Sequence, residues 1–484
     1  MINVDTVMQQ SAAAFEQYKK VPAAERAVFL ETIAGELETL RESLVVIAGG
    51  ETNLPPARLN GELTRTTNQL KLFARLIREG SWVEAVIDTA DPGSTPPRPD
   101  IRKMLMPVGP VVVFGASNFP FAFSTAGGDT ASVLAAGATV VVKGHPAHAA
   151  TSLQVFGAIE AAIRKINMPA HTVQHVAQPG NTIGKELVMH PLTTGVGFTG
   201  SFQGGRALLN YAHQREVPIP VFAEMSSVNP VVFLPDTLEK NAASLAQTFG
   251  GSVTLGMGQF CTNPGLLLGI RSNALEHFAR LLGEAIAQCA PQKMLHAGIH
   301  EAYEKGRSQL LSQQGVAVVK QAATAPAELE ALPVLARVDA KHFLANHLLQ
   351  EEVFGPSSLL IVCEDKEELK TVLKSLKGQL TTTVVGTEAD IAAYTDVVEL
   401  QTTLAGRVIL NAPPTGVEVC AAMVHGGPYP ATTDARFTSV GTSAIKRWVR
   451  PVCFQGFADN MLPDALKQDN PLGIWRLVDN EYRK

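Results

Sequence analysis

The sequence predicts an α/β protein with two domains, each built on a largely parallel sheet. Short β-branched runs alternate with helical stretches through most of the chain, the texture of βαβ units. At roughly 100 to 200 residues per domain, the 484 residues correspond to two to four folding units. Composition fits a packed interior: 46% apolar and 18% charged residues, without a low-complexity tract, rule out a largely disordered chain.

The first eighty residues read as a helical layer. Ala12–Tyr18, Ala23–Ser43 and Arg58–Ile77 carry apolar residues at i, i+3 and i+4, the spacing of one buried stripe. Residues 90–100, ADPGSTPPRPD, concentrate proline and glycine, which favours a linker or hairpin boundary. Strands are expected next at 111–115, 139–143, 172–176 and 195–199, and after Glu224 at 231–234, 265–270, 358–362 and 382–386. The tail from Arg450 is rich in Pro, Phe and Trp, and is expected to lie on a neighbour instead of forming a core of its own.

Charge and cysteine usage narrow the function. Forty basic against forty-five acidic residues give a net charge of −5, with no basic run to track a phosphate backbone, so no nucleic-acid partner is expected. The opening MINVD has neither a basic nor an apolar leader region, and the apolar runs are strand-sized, so a cytoplasmic protein without a membrane span is expected. The five cysteines, Cys261, Cys289, Cys363, Cys420 and Cys453, show no CxxC pair or disulfide pattern. HExxH, zinc-spaced Cys/His clusters, GxxxxGK[ST] and GxSxG are all missing from the sequence, so no metal centre is expected and phosphoryl transfer and serine hydrolysis drop away.

Several residues stand where chemistry can occur. Cys261 lies in GMGQFCTNPG, where glycines let backbone approach a ligand; it reads either as an activated nucleophile or as a small buried apolar residue. Glu224 ends the strand-like IPVFAE at the edge where α/β sheets bind ligands. Burial there predicts a raised pKa and a general base, against an ordinary salt-bridged acid. Asn118 follows VVVFGAS, and its amide can donate to an oxyanion or simply shape a turn. Lys143 closes TVVVK before Gly144, His145 and Pro146, as a ribose or phosphate contact or as a snorkelling strand end. GFTGSFQGGRAL, residues 197–208, offers backbone amides at a helix start without being a GxGxxG fingerprint. EEVFGP, residues 351–356, reads equally as a surface loop.

Taken in order, ASNFP, VVVKGHP, GFTGS, FAEMSSVNP, GQFCTNPG and EEVFGP, spread over residues 116–356, resemble the aldehyde dehydrogenase superfamily. The later segments PTGVEVCAAMVHGGPYPATTD and RPVCFQGF are similar to its α-ketoglutaric semialdehyde (2,5-dioxopentanoate) dehydrogenase branch. The nucleotide-binding region also resembles the NADP-dependent fatty aldehyde dehydrogenase of luminous bacteria. The resemblance implies Cys261 as nucleophile, Glu224 as the base that activates water, and Asn118 with the Cys261 amide as oxyanion hole. It implies cofactor contacts by Lys143, with His145 and Pro146 beside it, by Gly200 and Ser201 at the pyrophosphate, and by Glu352 and Phe354 at the nicotinamide. Four departures stand out: Ser117 replaces a common Trp, Ser226, Ser227 and Val228 replace Gly-Gly-Lys, the motif after Cys261 differs, and Pro146 replaces a common Glu.

That last change removes a carboxylate that would repel a 2′-phosphate while Lys143 stays, so NADP is the expected cofactor, with NAD the weaker alternative. The implied reaction is oxidation of a small-molecule aldehyde to an acid through a Cys261 thioester, with 2,5-dioxopentanoate the expected substrate and a long-chain fatty aldehyde or another semialdehyde the alternative. A CoA-acylating enzyme, a cofactor-free cysteine hydrolase and a non-catalytic interaction protein are the rivals. The implied architecture is a Rossmann-type nucleotide-binding domain (1–86 and 107–225), an α/β catalytic domain (226–447) and a small β oligomerisation element (87–106 and 448–484). A homodimer or homotetramer is expected, with Phe454, Phe457 and Trp475 available to a partner.

Overall fold

The computed structural model describes residues 2–484 and contains three main sheets. The first has five parallel strands in the spatial order Val173–Val176, Val140–Lys143, Val111–Phe114, Gly195–Thr199, Val221–Glu224. In chain order that is 3-2-1-4-5, the doubly wound arrangement with its switch point between 111–114 and 195–199. Because all five strands run the same way, Asn118, Lys143, Gly200 and Glu224 emerge at one edge. Alternate valines face opposite layers: Val111, Val113, Val140 and Val142 enter the core under the N-terminal helices, while Val112, Val141 and Val176 meet Val4, Met8 and Leu187.

The second sheet has seven strands in the order Ala317–Gln321, Val334–Asp339, Ser357–Cys363, Leu266–Ile270, Val231–Phe233, Gln379–Val385, Ala405–Leu410, with only the first antiparallel. Its apolar runs are buried on both faces. Leu266 and Leu268 pack with Ile361 and Phe343, while Leu267 packs on the other side with Phe249 and Phe278.

The third sheet joins the proline-rich region to the tail. Ile101–Pro107 pairs antiparallel with both Val86–Asp88 and Val449–Gln455, and Arg476–Val478 adds parallel to 86–88. Residues 90–100 form the hairpin loop between the first two of these strands, closed by reciprocal Asp91 and Arg98 backbone bonds of 2.9 Å. The tail shares a small core with the strand at 86–88. Leu462, Ala465, Leu466 and Ile474 bury themselves against Ala85 and Ile87. Arg102 holds that core by donating to the Leu466 carbonyl (2.6 Å) and to Asp459 (3.0 Å). Phe457 and Trp475 remain about half exposed, and the Phe454 ring meets Phe457 at 5.4 Å.

The helical layer differs in detail from the sequence reading. The first helix starts at Val4, eight residues early, because Asn3 caps it by accepting from the Thr6 amide (3.1 Å). The expected Ala23–Ser43 helix ends at Thr39, and a second helix, Arg41–Thr52, restarts after Leu40 leaves helical geometry. Helix Pro56–Glu79 spans the expected Arg58–Ile77.

Returning from the second sheet, the chain passes through Thr442–Trp448 and docks on the first. Trp448 is fully buried, and its indole N–H donates to Ser132 (2.8 Å). Beside it, Arg447 makes a 2.6 Å ion pair with Asp129, both nearly buried. Gly197 leaves the room: a Cβ there would come within 2.8 Å of Asp129 and 3.1 Å of Trp448. Arg447→Met would strand the Asp129 carboxylate in this interior, at about 3–5 kcal/mol. A clear fall in thermal midpoint by calorimetry is expected, and an unchanged midpoint would show that the pair holds nothing together.

Candidate active site

Three segments named from the sequence converge where the two large sheets face each other. Residues 256–258, Gly-Met-Gly, all take left-handed backbone (φ 53°, 55° and 61°), a conformation that costs an L-residue such as Met roughly 1–2 kcal/mol. Packing of the buried Met257 against Met294 and Tyr303 maintains it. Gly258 is glycine for a second reason, since a Cβ there would strike the Gly355 carbonyl of EEVFGP. This coil delivers Cys261 under the end of the Val221–Glu224 strand.

Asn229, from FAEMSSVNP, locks the cysteine loop from beneath. Its buried amide donates to the carbonyl oxygens of Cys261 and Asn263, each at 2.9 Å, and its own oxygen accepts from Ser227 and Thr381, both also 2.9 Å. Gln379 completes the layer by accepting from Ser227 and from the Val228 and Asn229 amides. The serine that departs from the common pattern at 227 therefore has a structural use.

Around the sulfur stand Glu224 and a residue to which the sequence reading assigned no role, His425. The imidazole is fully buried, and its Nε2 lies 3.4 Å from Cys261 Sγ and 3.0 Å from Glu224 Oε1. The Ser439 hydroxyl donates to Glu224 Oε2 (2.7 Å). With its proton on Nε2, assigned from the acceptors around it, His425 donates to Glu224 and lies against the sulfur. The ligand-type atoms of all three residues fall within 4.8 Å of one another, a spacing that also admits one metal ion. Asn118 is nearly buried, and its side-chain amide donates to the Gln259 carbonyl (3.2 Å), two residues before the thiol. A primary amide carries a second proton for an incoming oxygen.

The charges of this cluster are unequal. Burial pushes the Cys261 thiol well above the ordinary thiol range, and the Glu224 charge and hydrogen bond, then Glu352, push it further; Arg65 pulls the other way. Burial also acts to raise Glu224, but His425, Ser439 and the thiol outweigh it, and the net shift is downward. The raised Glu224 pKa expected from its strand-end burial is thus overturned, because hydrogen-bond donors surround the carboxylate. It is an ionised acceptor at neutral pH.

Glu352 behaves oppositely: burial pushes it up to about 7, with Ser226 and the Ser227 amide opposing and Glu224 adding to the rise. Of the two acids in EEVFGP, only Glu351 is a surface residue. Glu352 and Phe354 line a narrow recess with Ser227 and Asn263. A roomier cleft extends from Glu352 past Ser226 to Phe202. Phe202 starts the helix Phe202–His213, capped by Ser201, whose hydroxyl accepts from Gly204 (3.2 Å). Gly200 precedes it, donating its amide to the Glu224 carbonyl (3.1 Å); a Cβ there would press to 2.7 Å on the Phe198 ring.

Lys143, His145 and Pro146 stand apart from the cysteine. Two strands separate Lys143 from Glu224, roughly 14 Å at three interstrand spacings. Lys143 Nζ donates to the Gly144 carbonyl (3.1 Å), and burial lowers its pKa. His145 accepts from the Ala147 amide (3.1 Å). Burial, then His148, His296 and Lys143, lower it to about 3, so its ring is neutral. Pro146 is exposed. A cation at one end of the edge, a glycine-bounded helix start in the middle and a cleft at the other suit an extended anionic ligand such as a dinucleotide.

The aldehyde dehydrogenase family model matches residues 2–428. The chain belongs to the aldehyde dehydrogenase family. Members are oxidoreductases that act on aldehydes with a nicotinamide dinucleotide. The chain is 48% identical over 480 residues to "Alpha-ketoglutaric semialdehyde dehydrogenase 2" of Azospirillum brasilense, covering 99% of this chain and 91% of that protein. It is 47% identical to "Alpha-ketoglutaric semialdehyde dehydrogenase" of Acinetobacter baylyi over 478 residues, 98% and 90% of the two chains. Among solved structures it is similar to the glyceraldehyde-3-phosphate dehydrogenase of Methanocaldococcus jannaschii complexed with NADP, with a TM-score of 0.78 over 93% of both chains at 20% identity. That likeness is of fold. Among the described residues, no helix is long and apolar enough to cross a membrane.

His425 was within reach of the sequence, since it begins the His-Gly-Gly of a segment that carried the resemblance. Nothing in spacing alone places it 164 residues away from Cys261 and at contact distance. The electrostatic balance is testable without turnover. Alkylation of Cys261 by iodoacetamide in the cofactor-free enzyme, followed by mass spectrometry of its peptide, should show an inflection above the ordinary thiol pKa. Glu224→Gln should move it down, because it removes both a negative charge and an acceptor; an unmoved inflection contradicts the assigned coupling.

Proposed function

We propose that the protein oxidises 2,5-dioxopentanoate to 2-oxoglutarate, with NADP preferred over NAD. The observation that carries the chemistry is the joint contact of Cys261 Sγ and Glu224 Oε1 with His425 Nε2, beside an Asn118 amide with one proton to spare. The substrate assignment draws on the two relatives at 47–48% identity.

Cys261, giving its proton to the Glu224–His425 pair, adds to the aldehyde carbon, and the new oxyanion takes hydrogen bonds from Asn118 and the Cys261 amide. Lys143, Gly200, Ser201, Glu352 and Phe354 would hold the cofactor along the cleft, with His145 shaping the turn that ends in Pro146. When bound, its nicotinamide supplies the hydride acceptor that no side chain provides. Once the pair has passed that proton to solvent, the thioester left on Cys261 is hydrolysed by a water that loses its proton to Glu224, which hands it to the departing sulfur, returning the thiol and releasing the acid. The depressed Glu224 pKa keeps that base ionised at neutral pH, while the elevated thiol pKa requires a neighbouring acceptor for activation. The chain is proposed to act as a homo-oligomer, its half-exposed Phe457 and Trp475 facing a partner, with the three units bounded at 1–86 with 107–225, 226–447, and 87–106 with 448–484.

Cys261→Ala should abolish oxidation. Glu224→Gln should leave an initial burst of reduced cofactor in stopped flow, followed by turnover at least about 100-fold slower; wild-type steady turnover would remove Glu224 as the base. A burst answered only by added CoA would instead identify an acyl-transferring enzyme. For the cofactor, kcat/KM measured with both nucleotides at fixed aldehyde should be higher for NADP, since the exposed Pro146 offers no carboxylate against a 2′-phosphate. A higher value for NAD overturns the preference.

A further inference from the structure

A semialdehyde that becomes a dicarboxylate carries a charge at the end remote from the aldehyde, and a carboxylate leaving water needs a hydrogen-bonding cation. Helix Pro56–Glu79 presents one stripe to the loop that bears Asn118: Arg58, Glu62, Arg65 and Gln69 follow at steps of four, three and four residues. Arg58 Nη2 donates to the Asn118 carbonyl oxygen (3.0 Å), and Glu62 Oε1 accepts from the amides of Phe121 (2.8 Å) and Ala122 (3.0 Å). Gln69 packs on Gly128, where a Cβ would collide with its amide.

Arg65 is different. Its Nε and Nη2 are buried with no hydrogen-bond partner among the described residues, and its guanidinium lies 5.5 Å from the Phe123 ring centre. Nε and Nη2 form the side edge of the guanidinium, whose parallel N–H groups match the two oxygens of a carboxylate. Three other arginines use that edge in this way: Arg41 on Glu38 (2.8 and 2.9 Å), Arg102 on Asp100 (2.8 and 3.2 Å) and Arg436 on Asp434 (2.9 and 2.6 Å).

Aromatic rings connect this edge to the nucleophile. Phe123 meets Phe119 at 5.2 Å, and Phe119 meets Phe260, the residue before Cys261, at 5.8 Å. Arg58 also has an unpartnered nitrogen, Nη1, but it is wedged between the Phe119 and Phe260 rings at 4.8 and 4.5 Å, which covers its faces. The row of Phe123, Phe119 and Phe260 thus links the forked cation to the residue beside the nucleophile, an arrangement that suits a short chain with an aldehyde at one end and a carboxylate at the other. An alkyl tail would leave both N–H groups of Arg65 unpaired, which disfavours a fatty aldehyde.

We propose that the Nε/Nη2 edge of Arg65 receives the substrate carboxylate and selects ω-oxo acids over alkyl aldehydes of equal length. The proposal rests on the semialdehyde reading above.

The test compares kcat/KM for 2,5-dioxopentanoate and for pentanal in wild type, Arg65→Met and Arg65→Lys, with NADP saturating. Wild type should favour the oxo acid. Arg65→Met should lower the ratio of the two values by about 10- to 100-fold, the worth of charge-assisted hydrogen bonds, mostly through KM for the oxo acid. Arg65→Lys should fall between, since an ammonium keeps the charge without the fork. Glutarate should compete with the oxo acid in wild type and less well in Arg65→Lys, a readout that holds even where Arg65→Met fails to fold. An undiminished ratio in both variants overturns the role of Arg65 while leaving the semialdehyde reading intact. Equal losses on both aldehydes, with a shifted pH profile, also overturn it and assign Arg65 to support of the Cys261 thiolate. A wild type that turns over pentanal as well as the oxo acid fails the substrate reading itself, and this inference with it.

Discussion

The hydrogen bond from His425 to Glu224 is the contact on which the site depends, because its partners belong to different parts of the chain. Glu224 is the last residue of the outermost strand of the first sheet. His425 lies on the segment that returns from the second sheet, and this segment is held to that strand by the Met225 to Ala431 and Thr433 to Ala223 backbone bonds. The cysteine loop enters between them from the second sheet. Any slippage of one sheet edge against the other therefore separates the thiol, the imidazole and the carboxylate together.

Burial acts on two acids of the site with opposite outcomes, and the difference is local. Glu224 collects donors from His425 and Ser439, which compensate desolvation. Glu352 has only Ser226 and the Ser227 amide, so burial prevails. One carboxylate is thereby kept ionised beside a thiol that is kept protonated, a division of roles that a pair of equivalent acids would not provide. The strained Gly-Met-Gly coil serves the same end, since it brings the cysteine under the strand end at a conformational cost that the packing of Met257 maintains.

Much of this was legible in the residues. The runs VVVFG, TVVVK and GLLLGI announce strands buried on both faces, and Cys261, Glu224 and Asn118 each stand at a strand outlet or in a glycine-bounded loop. Three of the segments that carry the resemblance, FAEMSSVNP, GQFCTNPG and EEVFGP, meet around Cys261. Less legible were the positions whose outcome depends on a partner distant in sequence. The tail, rich in Pro, Phe and Trp, was expected to lie on a neighbour, and the surface on which its Leu462, Leu466 and Ile474 pack, Ala85 and Ile87, stands nearly 400 residues earlier. The break at Leu40 was hidden because apolar periodicity continues across it. The direction of the Glu224 shift was misread because burial was visible in the pattern while its donors were not.

The sequence by itself determined the alternation of strands and helices and the family resemblance, and that resemblance implied Cys261, Glu224 and Asn118 as the chemical residues. The first rests on local spacing, and the second on six motifs that occur in one order over residues 116–356. Only the tertiary structure decided that His425 joins the pair, that Glu224 is an ionised acceptor and that Arg65 keeps a forked edge unpaired beside a row of phenylalanines. The reason is physical: protonation and hydrogen-bond satisfaction are set by atoms within about 4 Å, and those neighbours arrive from sequence positions that no local pattern connects.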